Sequence, residues 1–122
     1  MLVESGIRLV KLWLDITKEK QRRRLDARRE DPLKVSDMDA IAQEKWSEYS
    51  AARDKMLLRT HAPLTPWHVV RADRKKPARI AIMRHVLQQV APPELLRDVE
   101  RPNPDLLFPF ATKAIGDGRL AE

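Results

Sequence analysis

No cysteine occurs among the 122 residues, which excludes disulfide frameworks and thiolate metal centres and makes a reducing cytoplasm the expected compartment. Glycine is nearly missing as well. The three glycines stand at 6, 116 and 118, so no Gly-x-x-x-x-Gly-Lys phosphate loop exists anywhere in the sequence. Three scattered histidines, His61, His68 and His85, do not make a metal-ligand set and read as structural or solvated. No apolar run approaches the ~20 residues of a membrane helix, and the N-terminus lacks the charged-then-apolar pattern of a secretion signal. Neither a membrane nor export is expected.

What is abundant is positive charge. The net charge is +6, which favours anionic partners without choosing among nucleic acid, nucleotides, polyphosphate and acidic lipid. Residues 17 to 34 hold eight Lys or Arg against four acids and so carry +4 of the +6. A chain of this length supports one core at most.

The segment "IRLVKLWLDI", 7 to 16, reads as a largely buried strand. Lys18 to Glu30 reads as a helix stopped before Pro32. Ser36 and Asp39 resemble a capping box opening a helix to about Leu58, whose apolar face runs through Met38, Ile41, Ala42, Trp46, Tyr49, Ala52 and Met56. After the Pro-containing connector 61 to 66, "WHVVRA" is a second strand. Asp73 is placed to cap a helix from about Lys75 to Val90. The order strand, helix, helix, strand, helix predicts an α/β chain with two parallel strands. From 91 to 122 five of the nine prolines gather, and this stretch reads as an irregular tail docked through Leu106, Leu107, Phe108 and Phe110. Two parallel strands make too small a sheet, so residues 1 to 90 look like the C-terminal half of a domain whose N-terminal half is missing or is another polypeptide.

Within the arginine helix, Lys20, Arg24 and Arg28 fall on one i, i+4, i+8 stripe. Arg22 has Asp26 within reach, and Arg23 has Glu19 and Glu30. Arg24 and Arg28 have like charge at four residues, and only Asp31 answers Arg28. The stripe therefore calls for an external anion, and adjacent guanidiniums suit phosphoryl oxygens. With only Leu25 to bury, the helix is either a solvated surface element or a mobile one that closes over a charged ligand.

Three stretches, "GIRLVKLWLDITKEKQRRRLDARREDPLK", "KWSEYSAARDKM" and "TPWHVVRADRKKPARIAIMRHVL", resemble in order and spacing the C-terminal half of the polyphosphate kinase 2 family over about residues 6 to 90. The resemblance implies the C-terminal half of a P-loop kinase-like three-layer α/β/α domain, with a lid at about 17 to 58 and magnesium as cofactor. It also implies phosphate transfer between polyphosphate and nucleoside mono- or diphosphates. Under it, Arg24, Arg28, Arg23, Lys20 and Lys34 are the lid's phosphate-binding candidates. Lys75, Lys76 and Arg79 are candidates for lying near the nucleotide, against the plainer reading of a solvated helix start. The family's Walker A and Walker B segments are absent, so catalytic and metal-ligating residues are not expected in this chain, which is expected to be inactive alone. A separate N-terminal half or a second copy would be the partner. The competing reading is a non-enzymatic basic protein that holds nucleic acid or polyphosphate by charge alone, of which nucleic acid is the less favoured ligand.

Overall fold

The computed structural model describes residues 4–34 and 37–122. Strand β1 spans Lys11–Asp15, followed by helices α1 (Lys18–Arg29), α2 (Asp37–Glu44) and α3 (Trp46–Thr60). Strand β2 (Trp67–Arg71), helix α4 (Lys75–Val90), the short helix α5 (Pro93–Leu96), strand β3 (Leu107–Pro109) and a 3-10 turn at Thr112–Ala114 complete the order.

β1 and β2 are parallel, as expected, with Trp13 opposite Val69 and Asp15 opposite Arg71. The count of two strands is corrected: β3 joins the other edge of β2 antiparallel, with Val69 opposite Phe108 and Val70 opposite Leu107, which makes a mixed sheet ordered β1-β2-β3. Successive strand residues point to opposite faces, and the cores sort accordingly. On one face Val69 and Phe108 pack with Leu57 of α3 and with Phe110, Ala114 and Leu120 from the C-terminal segment. On the other, Val70 and Leu107 pack with Ala78 and Ala81 of α4 and with Ala72. The sheet thus lies between α4 and a layer of α3 plus the C-terminal segment.

Further expectations change in detail. β1 is shorter than the apolar stretch, and Ile7 and Leu9 are exposed before it begins. The single helix to Leu58 breaks at Lys45 (φ −100°, ψ 23°) into α2 and α3. The break separates two jobs: α2 stays against α1, where the Gln43 side chain donates to Gln21 Oε1 at 2.5 Å, while α3 turns Leu57 into the sheet. The buried side of α3 is Arg53 and Leu57, not the expected line through Tyr49 and Ala52, because Arg53 pairs with a buried carboxylate under the sheet. The Ser36 end of the proposed capping box lies outside the described residues. Asp73 does not cap α4. The helix begins at Lys75, so the capping position is Arg74, one residue on, and no side chain caps there. Among the described residues β1 pairs only with β2, its other edge carries no strand, and no helix is long and apolar enough to cross a membrane.

Candidate functional site

α1 leaves β1 through Ile16 and Thr17. Thr17 caps it, its hydroxyl accepting from Lys20 N–H at 3.2 Å. The same residue is bracketed from the β2–α4 loop: the Asp73 carboxylate accepts from Thr17 N–H at 2.8 Å and from its hydroxyl at 3.0 Å. A second tie lies two turns into the helix, where Arg24 donates to the carbonyls of Ala72 at 2.7 Å and Asp73 at 3.1 Å. Leu25 is the one buried side chain of α1. Polar bonds to the β2–α4 loop and to α2, and not a core, hold this helix in place.

Between α1, the chain after it and α2 runs an open groove of about 670 Å³. Of the residues predicted for phosphate, Arg24, Arg28 and Lys34 line it, and Lys75 joins them from the start of α4. The other candidates do not line it. Arg23 is exposed and ion-paired with Glu19 at 2.8 Å, and Lys20, Lys76 and Arg79 stand elsewhere. Two carboxylates also line the groove, Asp31 near Lys34 (3.9 Å) and Asp39 near Arg28 (3.7 Å).

The unpaired status expected for Arg24 and Arg28 is corrected. Both have partners: Arg24 has backbone carbonyls distant along the chain, and Arg28 has the Lys34 carbonyl beyond the helix end and the Asp39 carboxylate of α2 at 3.7 Å, none of which charge spacing along one helix reveals. Arg28 donates to the Lys34 carbonyl through Nε at 3.0 Å and through a second guanidinium nitrogen, fixing the turn after α1. The carbonyls orient the Arg24 guanidinium without cancelling its charge, and both groups keep further N–H donors. One of them is conspicuous: Arg24 Nε is buried with no hydrogen-bond partner. A buried donor without an acceptor costs about 1–3 kcal/mol.

A smaller recess of about 180 Å³ adjoins, sharing Ile16, Gln21, Ala42 and Tyr49 with the groove and walled by Trp46, whose Nε1 is the other buried donor with no partner. At its floor Asp15, buried at the end of β1, accepts from Trp13 Nε1 (3.1 Å), Ala121 N–H (2.7 Å) and Arg53 (3.4 Å). Arg53, also buried, is paired with Asp54 at 2.8 Å. Among the described residues no three metal-ligating side chains converge. Asp15 and Asp73 are already occupied by internal donors, so the residues described do not fit a magnesium site and no step is derived through one. The Thr17–Asp73 bracket escaped the sequence reading because 56 residues separate the partners.

The sequence profile of the family described as Polyphosphate kinase 2 matches residues 1–97. A GDP-polyphosphate phosphotransferase of Mycobacterium tuberculosis is 41% identical over 105 residues, which are 84% of this chain and 34% of that protein. An ADP-polyphosphate phosphotransferase of Pseudomonas aeruginosa is 45% identical over 93 residues, 74% of this chain and 31% of that protein. The crystal structure of polyphosphate kinase 2 from Arthrobacter aurescens superposes with a TM-score of 0.68 at 37% identity, covering 72% of this chain and 33% of that one. The chain spans about a third of the length of the curated relatives it matches.

Proposed function

Because this chain belongs to the polyphosphate kinase 2 family, we propose that it supplies the lid and the last parallel strands of a polyphosphate:nucleotide phosphotransferase, and that it binds a phosphate chain in the groove beside α1. The observation that carries the reading is the convergence of Arg24, Arg28, Lys34 and Lys75 on one groove. Phosphoryl oxygens supply acceptors in the planar arrangement that a guanidinium fork meets bidentately. Arg24 and Arg28 orient the phosphates, Lys34 and Lys75 add point charge, and the bracket at Thr17 and Asp73 acts as the hinge of the lid.

The transfer step needs a backbone cradle and lysine around the moving phosphoryl group, and an acid for the magnesium that screens its charge. The sequence has no Gly-x-x-x-x-Gly-Lys. The cradle and metal ligands therefore come from polypeptide outside these 122 residues, which a second copy of the same sequence cannot supply, so a separate N-terminal half is the partner in this reading, docking along the open edge of β1, where Leu14 is 54% exposed. Nucleoside mono- or diphosphates are the acceptors in this reading, and the cytoplasm is its compartment. The chain alone is inactive: phosphate transfer from polyphosphate to ADP or GDP by the purified 122-residue protein would overturn that statement.

Titration with polyphosphate tests the groove. Arg24→Ala with Arg28→Ala is expected to weaken binding roughly tenfold or more, the loss of at least one charge-assisted hydrogen bond. Arg22→Ala with Arg23→Ala, which removes the same formal charge outside the groove, is expected to change it less than about twofold. Equal losses would mean that charge density does the binding, the non-enzymatic reading.

A further inference from the structure

The groove beside α1 lies past the carboxyl end of β1. At the other end of the strands, His68 of β2 and His85 of α4 bring their imidazoles together, the ring centroids 4.3 Å apart and the planes tilted by 49°. Both line a cavity of about 350 Å³ that is walled by the chain from Gly6 to Lys11 and reaches Gln89. We propose that this cavity binds a transition-metal ion of the zinc, nickel or copper kind, held by His68, His85 and Gln89. Gln89 stands four residues after His85, one helical turn, and so shares its face of α4. An ion placed there would tie β2 to α4 across the face of the sheet.

The ligand atoms are unspent. His85 is only 6% exposed, yet among the described residues neither imidazole and no atom of the Gln89 amide has a hydrogen-bond partner. The sealed, partnerless side-chain atoms of the described residues belong to Arg24 and Trp46, so the His85 nitrogens stay open to the cavity that this residue lines. Burial holds both rings below the ordinary imidazole pKa, so at pH 7 they are neutral, the form that ligates metal. Two imidazoles that share an ion at about 2.1 Å keep their centroids about 4.5–5 Å apart for ligand angles between square and tetrahedral. The present pair needs only a small opening to reach that spacing. His61 is not a third ligand: its Nδ1 accepts from the Trp67 amide at 3.1 Å, and its ring meets Phe110 on the opposite face of β2. Of the cations along the cavity, Lys11 donates to the Thr60 carbonyl at 2.5 Å and lies over Trp67, also on that opposite face, while Arg8 is exposed. Among the described residues no carboxylate joins the two histidines, so the third ligand is a neutral amide and water completes the shell. Imidazole selects zinc, nickel and copper, where magnesium prefers carboxylate and water. The site is thus independent of the groove beside α1 and of the magnesium of the transfer step.

Calorimetric titration of the 122-residue chain with zinc chloride at pH 7, in millimolar magnesium, tests the assignment, with Co²⁺ absorption in the visible as a report on nitrogen ligation. One equivalent of zinc is expected to bind and to raise the thermal midpoint. His68→Ala and His85→Ala are each expected to abolish that equivalent and the Co²⁺ bands, and His61→Ala to leave both in place. His85 is buried, so its variant also reports on folding; Gln89→Glu supplies a test that does not depend on a loss. Turning the amide into a carboxylate completes a set of two histidines and an acid, and is expected to tighten zinc at least about tenfold. A parent chain that binds no zinc, an equivalent that survives His68→Ala, or a Gln89→Glu variant no tighter than the parent would overturn the proposal. Loss of the equivalent in His61→Ala would overturn it as well, by moving the ion to the other face of the sheet.

Discussion

α1 and α4 occupy equivalent places, each following a parallel strand, and they are held by opposite means. α4, with sixteen residues, buries Ala78, Ala81 and His85 against the sheet, so its charges decorate a helix fixed by packing. α1, with twelve, buries Leu25 alone and depends on the Arg24 bonds to Ala72 and Asp73 and on the bracket at Thr17. A helix held by burial moves only if the core opens. A helix held by polar bonds can be released when water or a ligand takes over those bonds. The basic residues of α1 are therefore its fastening as well as its chemistry, whereas those of α4 are separable from its fold.

The largest effect is expected in the packed region. Leu57→Ala, at a fully buried position, should cost about 2–5 kcal/mol of unfolding free energy and lower the denaturation midpoint of the whole domain. Leu25→Ala should instead raise amide exchange within 18–29 and leave 75–90 protected; an equal drop in the global midpoint would erase the contrast.

Next comes pH. Burial, with His85 and then His61 nearby, lowers the His68 pKa from 6.5 to about 4, and burial lowers His85 as well. The two rings lie 4.3 Å apart between β2 and α4. Because the folded state resists protonation, the unfolded chain binds the extra protons, so this contribution to stability is whole above pH 6.5 and is lost as pH falls toward 4. The urea midpoint should fall between pH 7 and 4.5, and His68→Gln should remove most of that slope. A slope that survives the substitution would place the titration elsewhere.

Asp73→Ala, which removes both bonds to Thr17, should cost about 1–2 kcal/mol locally, read as faster exchange of α1 amides with α4 unchanged. Arg79→Ala, on the exposed side of α4, should alter stability by less than about 0.5 kcal/mol. A larger loss would mean that the charges of α4 are structural after all.

Periodicity and breakers made α1, α4 and the parallel pair legible, since those elements answer to local chemistry and one short-range pairing. β3 was not legible as a strand: it has three residues, ends on Pro109, and becomes a strand only because the exposed edge of β2 accepts Leu107 and Phe108. The break at Lys45 was hidden because the apolar spacing of Ile41, Ala42, Trp46 and Tyr49 stays in phase across it. Of the stripe that the spacing singled out, Arg24 and Arg28 line the groove with Lys34 and Lys75, and Lys20 does not. What holds them is carbonyl oxygen, and every residue has a carbonyl, so no pattern of side chains marks which ones will be used.

The Asp15 carboxylate has a further consequence. One of its donors is the amide of residue 121, 106 positions away, and closing a loop of that length costs about 4 kcal/mol of chain entropy. During synthesis β1 emerges before the Leu120–Ala121 segment, so its buried acid is complete only after that later segment has been made and has packed beneath α3. Until then Asp15 and Arg53 sit half-satisfied beside an open sheet face, and the order of birth along the chain is the reverse of the order in which its polar interior is sealed.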